Sequence, residues 1–389
     1  MKLIGIDYTQ ISNEFTEEEL MVQKTVREFA DTELIPVIDE YFKDGCFPVQ
    51  FVRKFGELGL LGINLPTEYG GAGMSNLAYG LACQELERCD SGIRSFVSVQ
   101  GSLVMYPIFT FGSEDQKRKY LPPLASGEMI GCFGLTEPDF GSNPAGMATR
   151  AVRTDGGYIL NGAKMWITNG SIAHVAVVWA KDDRDQVRGF LVDTFSEGFS
   201  APEMKNKWSL RASVTSELIF SNVVVPEENV LPGVSGLKGP LSCLNQARYG
   251  IGWGALGAAM MLYETALSYA KTRIQFDRPI AGFQMVQEKL VWMLTEITKS
   301  QLLALQVGKH KDAGSLRHQQ VSMLKRNNVW VARECARLAR EILGANGISG
   351  EYPVMRHLMN IESVYTYEGT HDMHTLIMGE DITGVSAIR

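Results

Sequence analysis

The run Tyr365-Thr366-Tyr367-Glu368-Gly369-Thr370-His371-Asp372 sets one carboxylate among aromatic rings, a glycine and a helix-start signal. A carboxylate withdrawn from water in such surroundings has a raised pKa and can serve as a general base. The same stretch reads Glu368-x-x-His371, the helical carboxylate–imidazole spacing of di-metal bundles, and His371 with His374 forms an i, i+3 pair. A di-metal site needs a second such motif and further carboxylates from other helices. No second copy occurs, so capping and interface hydrogen bonds account for these residues, and no metal-ligand set is assigned. Gly252-Trp253-Gly254-Ala255-Leu256-Gly257 has the GxGxxG spacing of a dinucleotide loop. That loop requires a strand before it and a helix after it. Both flanks here, 245–249 and 258–270, are helical in pattern, so the glycines read as a small-residue face for close helix packing. There is no GxSxG elbow and no Walker loop, which leaves phosphate anchoring to helix starts and to scattered groups such as Ser142, Arg248, Arg273 and Lys325.

Three textures position these residues. Before residue 130 the pattern is helical: Thr16 with Glu19 forms a capping box, Pro36 punctuates the run that follows, and 51–61, 76–88, 101–111 and 113–120 are helix candidates. The glycine-rich 66–73 is a loop. Strand signals then dominate at 129–135, 148–153, 158–160, 164–168, 175–180, 187–193 and 217–225, with Asp155-Gly156-Gly157 and Asn161-Gly162 as turn dipeptides. After Pro240 four helices are expected, over 241–272, 285–313, 319–343 and from 370 to 377 or beyond. The fold class is α+β: an N-terminal all-α domain (1–129), a middle β-sandwich or barrel domain (130–238) and a C-terminal four-helix-bundle domain (239–389).

Composition bounds the function. Of 389 residues, 45% are hydrophobic and 21% charged, enough apolar surface for packed cores. The net charge of −7 argues against nucleic-acid binding, which needs a basic face to replace phosphate counterions. No apolar run reaches the ~20 residues that span a bilayer. The six cysteines form no C-x-x-C pair and read as buried, reduced thiols. Met1 to Asp7 has no signal-peptide character, so the expected location is cytoplasmic, or the mitochondrial matrix if a presequence has been removed.

Taken together, several motifs are specific. They are CFGLTEPDFGS at 132–142, KMWITN at 164–169, RIQF at 273–276, LGANGI at 343–348 and YEGT at 367–370. With them the chain resembles the acyl-CoA dehydrogenases from about Thr16 to its C-terminus. Within that family ELERCDSGIRS at 85–95, SVQ at 98–100, LNQARYGI at 244–251 and YEGTHD at 367–372 make it most similar to the members that act on glutaryl-CoA.

The resemblance implies an FAD enzyme in which Glu368 takes a proton from Cα of an acyl-CoA while a hydride leaves Cβ. The backbone N–H of that glutamate and a ribityl hydroxyl would hold the thioester oxygen as it gains charge. It further implies a flavin bed of Phe133, Leu135, Thr136, Ser142, Trp166, Ile167, Thr168 and Thr370. Arg273, Phe276, Gln284, Glu341, Leu343, Gly344 and Ala345 would contact the adenosine–pyrophosphate half across a subunit boundary, in a homotetramer. Leu241, Leu244, Asn245, Arg248 and Gly369, with Ser142, would line the acyl-CoA channel. Arg94, aided by Ser95 and Ser98, would pair with a distal substrate carboxylate; the plainer alternative is an internal ion pair with Glu87 or Asp90. Glu87 and Tyr367 together are expected in members that decarboxylate glutaconyl-CoA to crotonyl-CoA. The electron acceptor would be an electron-transfer flavoprotein. Alternatives are a non-decarboxylating enzyme, one for another short or cyclic acyl-CoA, or a short-chain acyl-CoA oxidase. The chain departs from the family pattern at Ile93, Asn143, Asp277 and Ala345.

Overall fold

The computed structural model describes residues 5–387; Met1–Ile4, in the run read for targeting, and the last two residues lie outside it. Helix α1 (Glu17–Phe29) begins with the expected capping box: Glu19 N donates to Thr16 Oγ1 at 3.2 Å and Thr16 N to Glu19 Oε2 at 2.9 Å. A π-helical turn (Ala30–Leu34) carries the chain without a break into α2 (Ile35–Asp44), and Pro36, which has no N–H to donate, follows directly on that turn. Then follow α3 (Val52–Glu57), α4 (Asn76–Cys89), α5 (Ser91–Ser98), a π-helical stretch (Val99–Met105), α6 (Tyr106–Phe111) and α7 (Glu114–Ala125). Between α4 and α5 the backbone of Asp90 is extended, and its carboxylate accepts from Gly92 N at 2.7 Å as the cap of α5. That corner brings Glu87 and Arg94 together.

The middle region is one seven-stranded sheet: β1 (Gly131–Gly134), β2 (Arg150–Thr154), β3 (Gly157–Thr168), β4 (Val175–Lys181), β5 (Val187–Asp193), β6 (Phe199–Ser200) and β7 (Thr215–Pro226). β4 runs parallel to β1 and antiparallel to β5, while β2, β3, β7 and β6 pair antiparallel. The two groups meet at Arg150 and Lys181. Side chains alternate across a strand. Val175, Val177 and Trp179 of β4 therefore enter the core shared with the helices, whereas Ala176, Val178 and Ala180 enter a second core inside the curled sheet. Asn161-Gly162, expected as a turn, instead lies within the continuous β3. Its register shifts between Leu160 and Gly162, and Gly162 at φ +143° packs where a Cβ would come 2.8 Å from Thr149 Cα. A bulge, not a reversal, uses the glycine.

The last region contains α8 (Lys238–Thr272), a hairpin of β8 (Ile274–Gln275) and β9 (Arg278–Pro279), α9 (Gln284–Asp312), α10 (His318–Leu343), α11 (Val354–Thr366) and α12 (His371–Thr383). Helix α11 adds to the four expected from sequence. The GxGxxG glycines act as packing residues within α8. A Cβ at Gly252 would meet Leu324 Cγ at 2.4 Å, at Gly254 Glu87 Oε2 at 2.0 Å, and at Gly257 the Gln84 carbonyl oxygen at 1.8 Å. Among the described residues no helix is long and apolar enough to cross a membrane.

Candidate active site

Glu368 lies in the link between α11 and α12. Tyr367 ends α11, its N–H donating to Ser363 O at 2.9 Å, and Thr370 Oγ1 caps α12 by accepting from Met373 N at 3.1 Å. Between them Glu368 and Gly369 take φ of +51° and +92°. A glutamate in the left-handed region is strained, and such strain persists only where surroundings impose it. The Glu368-x-x-His371 spacing thus crosses a turn rather than one helical face. His371 stacks on Tyr365, with centroids 4.5 Å apart.

Three successive carbonyls of this link are held by two buried cations. Lys325 Nζ, from α10, donates to Tyr367 O and to Gly369 O, the latter at 2.6 Å. Arg248 Nε, from α8, donates to Glu368 O at 2.6 Å, and its Nη1 donates to Asn245 Oδ1 at 3.4 Å. Arg248 and Lys325, candidates for phosphate anchoring by pattern, are thereby committed to the loop. Glu368 Oε2 is buried with no hydrogen-bond partner. Burial pushes the Glu368 carboxyl above its ordinary range against the opposing pull of Lys325, Arg94 and Arg248. Burial likewise pulls Lys325 and Arg248 down. His374, sealed beneath the loop, is held neutral by burial and by Lys325 and Arg248.

Next to this turn is a buried polar corner. Arg94 Nε donates to Glu87 Oε2 at 2.6 Å, and both side chains are at most 1% exposed. Arg94 Nη2 donates to Tyr367 Oη, Ser91 Oγ donates to Glu87 Oε1 at 2.8 Å, and Ser95 Oγ lies 3.4 Å from Tyr367 Oη. Ser98 Oγ is buried without a partner. Asp90, the other candidate for Arg94, instead accepts from Arg356 Nη1 at 2.8 Å and Asn360 Nδ2 at 2.7 Å. Burial raises the Tyr367 phenol to about 12. The internal ion pair therefore exists, with Glu87, and uses only part of the five-donor guanidinium.

Among the other residues singled out from sequence, Leu241 is exposed and Leu244 and Gly369 are half-buried. Phe133 and Leu135 are buried at the end of β1 and just beyond it. Lys164 Nζ donates to Leu135 O at 3.1 Å and Glu137 Oε1 at 2.7 Å, and Met165 N donates to Thr136 O at 2.8 Å. These bonds tie the exit of β1 to a second bulge in β3, where Trp166 takes φ +63° and stays 59% exposed beside buried Ile167 and half-buried Thr168. Ser142 is exposed in the loop after β1. Arg273, Phe276, Gln284, Gly344 and Ala345 are exposed. Glu341 bonds Lys289 at 2.8 Å and Arg337 at 2.5 Å, and Leu343 is buried. Phe276 and Asp277 form the hairpin tip at φ +50° and +61°, a conformation that explains why glycine suits position 277. Arg273 follows Arg248 by 25 residues along α8 and its end, roughly 37 Å of helix. One chain thus does not bring these residues to Glu368.

Sequence reasoning missed the loop-holding role of Lys325 and the space that Gly254 leaves for Glu87. A lysine between Leu324 and Asn328 on an otherwise buried helical face was the available signal.

Models of the acyl-CoA dehydrogenase N-terminal, middle and C-terminal domains match residues 16–128, 132–223 and 235–383. The chain belongs to the acyl-CoA dehydrogenase family. It is 57% identical to a glutaryl-CoA dehydrogenase of Mycobacterium smegmatis, with a TM-score of 0.97 over 99% of this chain and 100% of that one. A glutaryl-CoA dehydrogenase structure from the same organism in complex with FADH2 is 52% identical, with a TM-score of 0.97 over 99% of each chain. An acyl-CoA dehydrogenase of Bacillus subtilis (strain 168) is 38% identical over 374 residues, 95% of this chain and 99% of that protein. Like its family, the chain is an oxidoreductase.

Proposed function

We propose that this protein oxidises glutaryl-CoA between Cα and Cβ and decarboxylates the product to crotonyl-CoA, passing the electrons to an electron-transfer flavoprotein. The observation that carries this reading is the junction at Tyr367 and Glu368: one residue touches the buried Arg94, and the next is the unpartnered carboxylate. Arg94 uses one donor on Glu87 and one on Tyr367. A distal substrate carboxylate gains charge-assisted hydrogen bonds from the remaining guanidinium donors.

Glu368, desolvated and free of a hydrogen-bond partner, takes the α-proton. Its own backbone N–H, which has no partner among the described residues, is available to the thioester oxygen as charge develops there. FAD, when bound, supplies the acceptor for the hydride from Cβ. The bare indole of Trp166, strained and exposed, offers a flat apolar face for such a group, and Phe133, Leu135, Thr136, Ser142, Ile167, Thr168 and Thr370 would line the rest of its bed. Arg273, Phe276, Gln284, Glu341, Leu343, Gly344 and Ala345 would serve the adenosine half bound mainly by another copy in a homotetramer. Loss of CO2 from glutaconyl-CoA leaves a dienolate, which takes one proton to become crotonyl-CoA. Arg94 and the Tyr367 hydroxyl hold the distal carboxylate until it leaves, and Glu87 fixes the guanidinium from its other side.

The Glu87–Arg94 pair favours a second reading, in which Arg94 is structural and the substrate is a monocarboxylic short-chain acyl-CoA. Arg94→Gln separates the two. Under the first reading kcat/KM for glutaryl-CoA falls about 10²- to 10³-fold, the scale of a broken buried ion pair, and the loss with butyryl-CoA is far smaller. Equal losses on both substrates would assign Arg94 to structure.

A further inference from the structure

The three carbonyls gathered on Lys325 and Arg248 have a geometric consequence. The structure contains no cis peptide bonds among the described residues. In a trans peptide, C=O and N–H point in opposite directions. Holding Tyr367 O on Lys325 therefore turns Glu368 N–H away from α10. Holding Gly369 O on the same ammonium brackets the turn from its other side. Glu368, at φ +51°, sits between the two anchors with its own carbonyl on Arg248. Lys325 is itself 1% exposed and lies 5.5 Å over the Tyr367 ring, so its position is fixed before any substrate arrives.

We propose that Lys325 is a positioning residue for the reaction. It clamps the left-handed Glu368 turn, aims the Glu368 N–H at the thioester oxygen, and keeps a positive charge beside the Glu368 carboxylate. The inference rests on Glu368 being the base. Lys325 touches neither substrate nor cofactor in this scheme and works through the peptide groups on either side of Glu368.

The charge has its own signature. Glu368 is faced by Lys325 from α10, Arg248 from α8, Arg94 from α5 and Tyr367 from its own link, while His374 of α12 packs against Gly369. Among the cations, Lys325 pulls hardest against the burial that raises the carboxyl. The ionised carboxylate is the active form, so flavin reduction is lost as pH falls through its pKa. Removing Lys325 raises that pKa and moves the acidic limb to higher pH, by about one unit for the loss of an adjacent opposite charge.

The test uses the FAD-loaded holoenzyme, with glutaryl-CoA mixed anaerobically across a pH series. Lys325→Met, Lys325→Arg and Glu368→Gln are run beside the parent, with ligand affinity and thermal midpoint measured for each. Lys325→Met is expected to bind glutaryl-CoA within a few-fold of the parent yet reduce flavin about 10²-fold more slowly, the scale of a lost oxyanion donor, with its acidic limb shifted upward. Lys325→Arg keeps the charge, so its limb stays in place and part of the rate returns. An infrared carbonyl band of bound 13C-thioester closer to the free value in Lys325→Met than in the parent is expected too. Reduction by Lys325→Met within threefold of the parent, with the limb unmoved, overturns the proposal. Equal losses in both lysine variants with equally lowered thermal midpoints also overturn it, as a purely structural effect. If Lys325→Met does not fold, Lys325→Arg decides: a displaced limb overturns the proposal, and a limb in place with partial rate supports it. Loss of reduction in Glu368→Gln leaves the base assignment standing whatever the lysine variants do. Reduction at the parent rate in Glu368→Gln removes both ideas together.

Discussion

The two ends of α8 present opposite kinds of surface. At Arg248 the helix meets a buried cluster of charge in which Glu87, Arg94, Lys325 and Tyr367 each bond to a partner on a different element. At Arg273 it runs into a hairpin whose apolar side chains are bare, Phe276 88% and Ile274 52% exposed, and Met285 at the start of α9 is 74% exposed. Charge normally stays in water and large apolar groups leave it. The first end reverses that rule and pairs Glu87, Arg94, Arg248 and Lys325 within one chain, leaving the Glu368 carboxylate open. The second end reverses it without compensation, which is what a surface completed by a cofactor and another copy would look like.

Substitutions at the two ends should therefore fail differently. The largest effect belongs to Glu368→Gln, which removes the base while keeping the side chain's shape. FAD content and ligand affinity should stay near the parent values, while flavin reduction falls by about 10⁴-fold, the upper range for a general base. Stopped-flow absorbance measures it directly.

Gly254→Ala tests the same end without touching a reacting group. The added methyl would lie 2.0 Å from Glu87 Oε2 and 3.0 Å from Arg94 Nε, both pinned by their mutual bond. The expected cost is about 1–3 kcal/mol of stability from overpacking, read as a lowered midpoint in thermal or urea unfolding. An unchanged midpoint would mean that the corner yields more readily than its bonding suggests.

The smallest effect on folding should come from Phe276→Ser at the exposed hairpin. Exposed substitutions ordinarily move stability within about 0.5 kcal/mol. If the hairpin completes a partner's cofactor site, FAD retention and native mass in analytical ultracentrifugation should nonetheless fall. Unchanged retention and mass would break the contrast between the two ends.

Sequence legibility divides along the same line. The burial of the Glu368 carboxylate is readable because aromatic residues, a glycine and a helix cap flank it in the chain. The apolar strand β4 and the capping box of α1 are readable for the same local reason. Helix α5 is not, because it has only eight residues and its polar face, Ser91, Arg94, Ser95 and Ser98 at i, i+3, i+4 and i+7, is buried rather than turned to water. Lys325 is not, because its role depends on carbonyls 42 and 44 residues away. Asn161-Gly162 reads as a turn since the dipeptide suits positive φ, yet only the register against β7 distinguishes a turn from a bulge.

In the proposed reaction Glu368 and the Arg94 corner act on one substrate. The most direct measurement mixes the FAD-loaded protein with glutaryl-CoA without oxygen, follows the flavin absorbance, and weighs the product by mass spectrometry. Bleaching accompanied by crotonyl-CoA is the predicted result. Bleaching with glutaconyl-CoA would keep the substrate and remove decarboxylation from the roles of Glu87 and Tyr367. No bleaching with glutaryl-CoA, alongside bleaching with butyryl-CoA, would contradict the claim and leave Arg94 as a structural partner of Glu87.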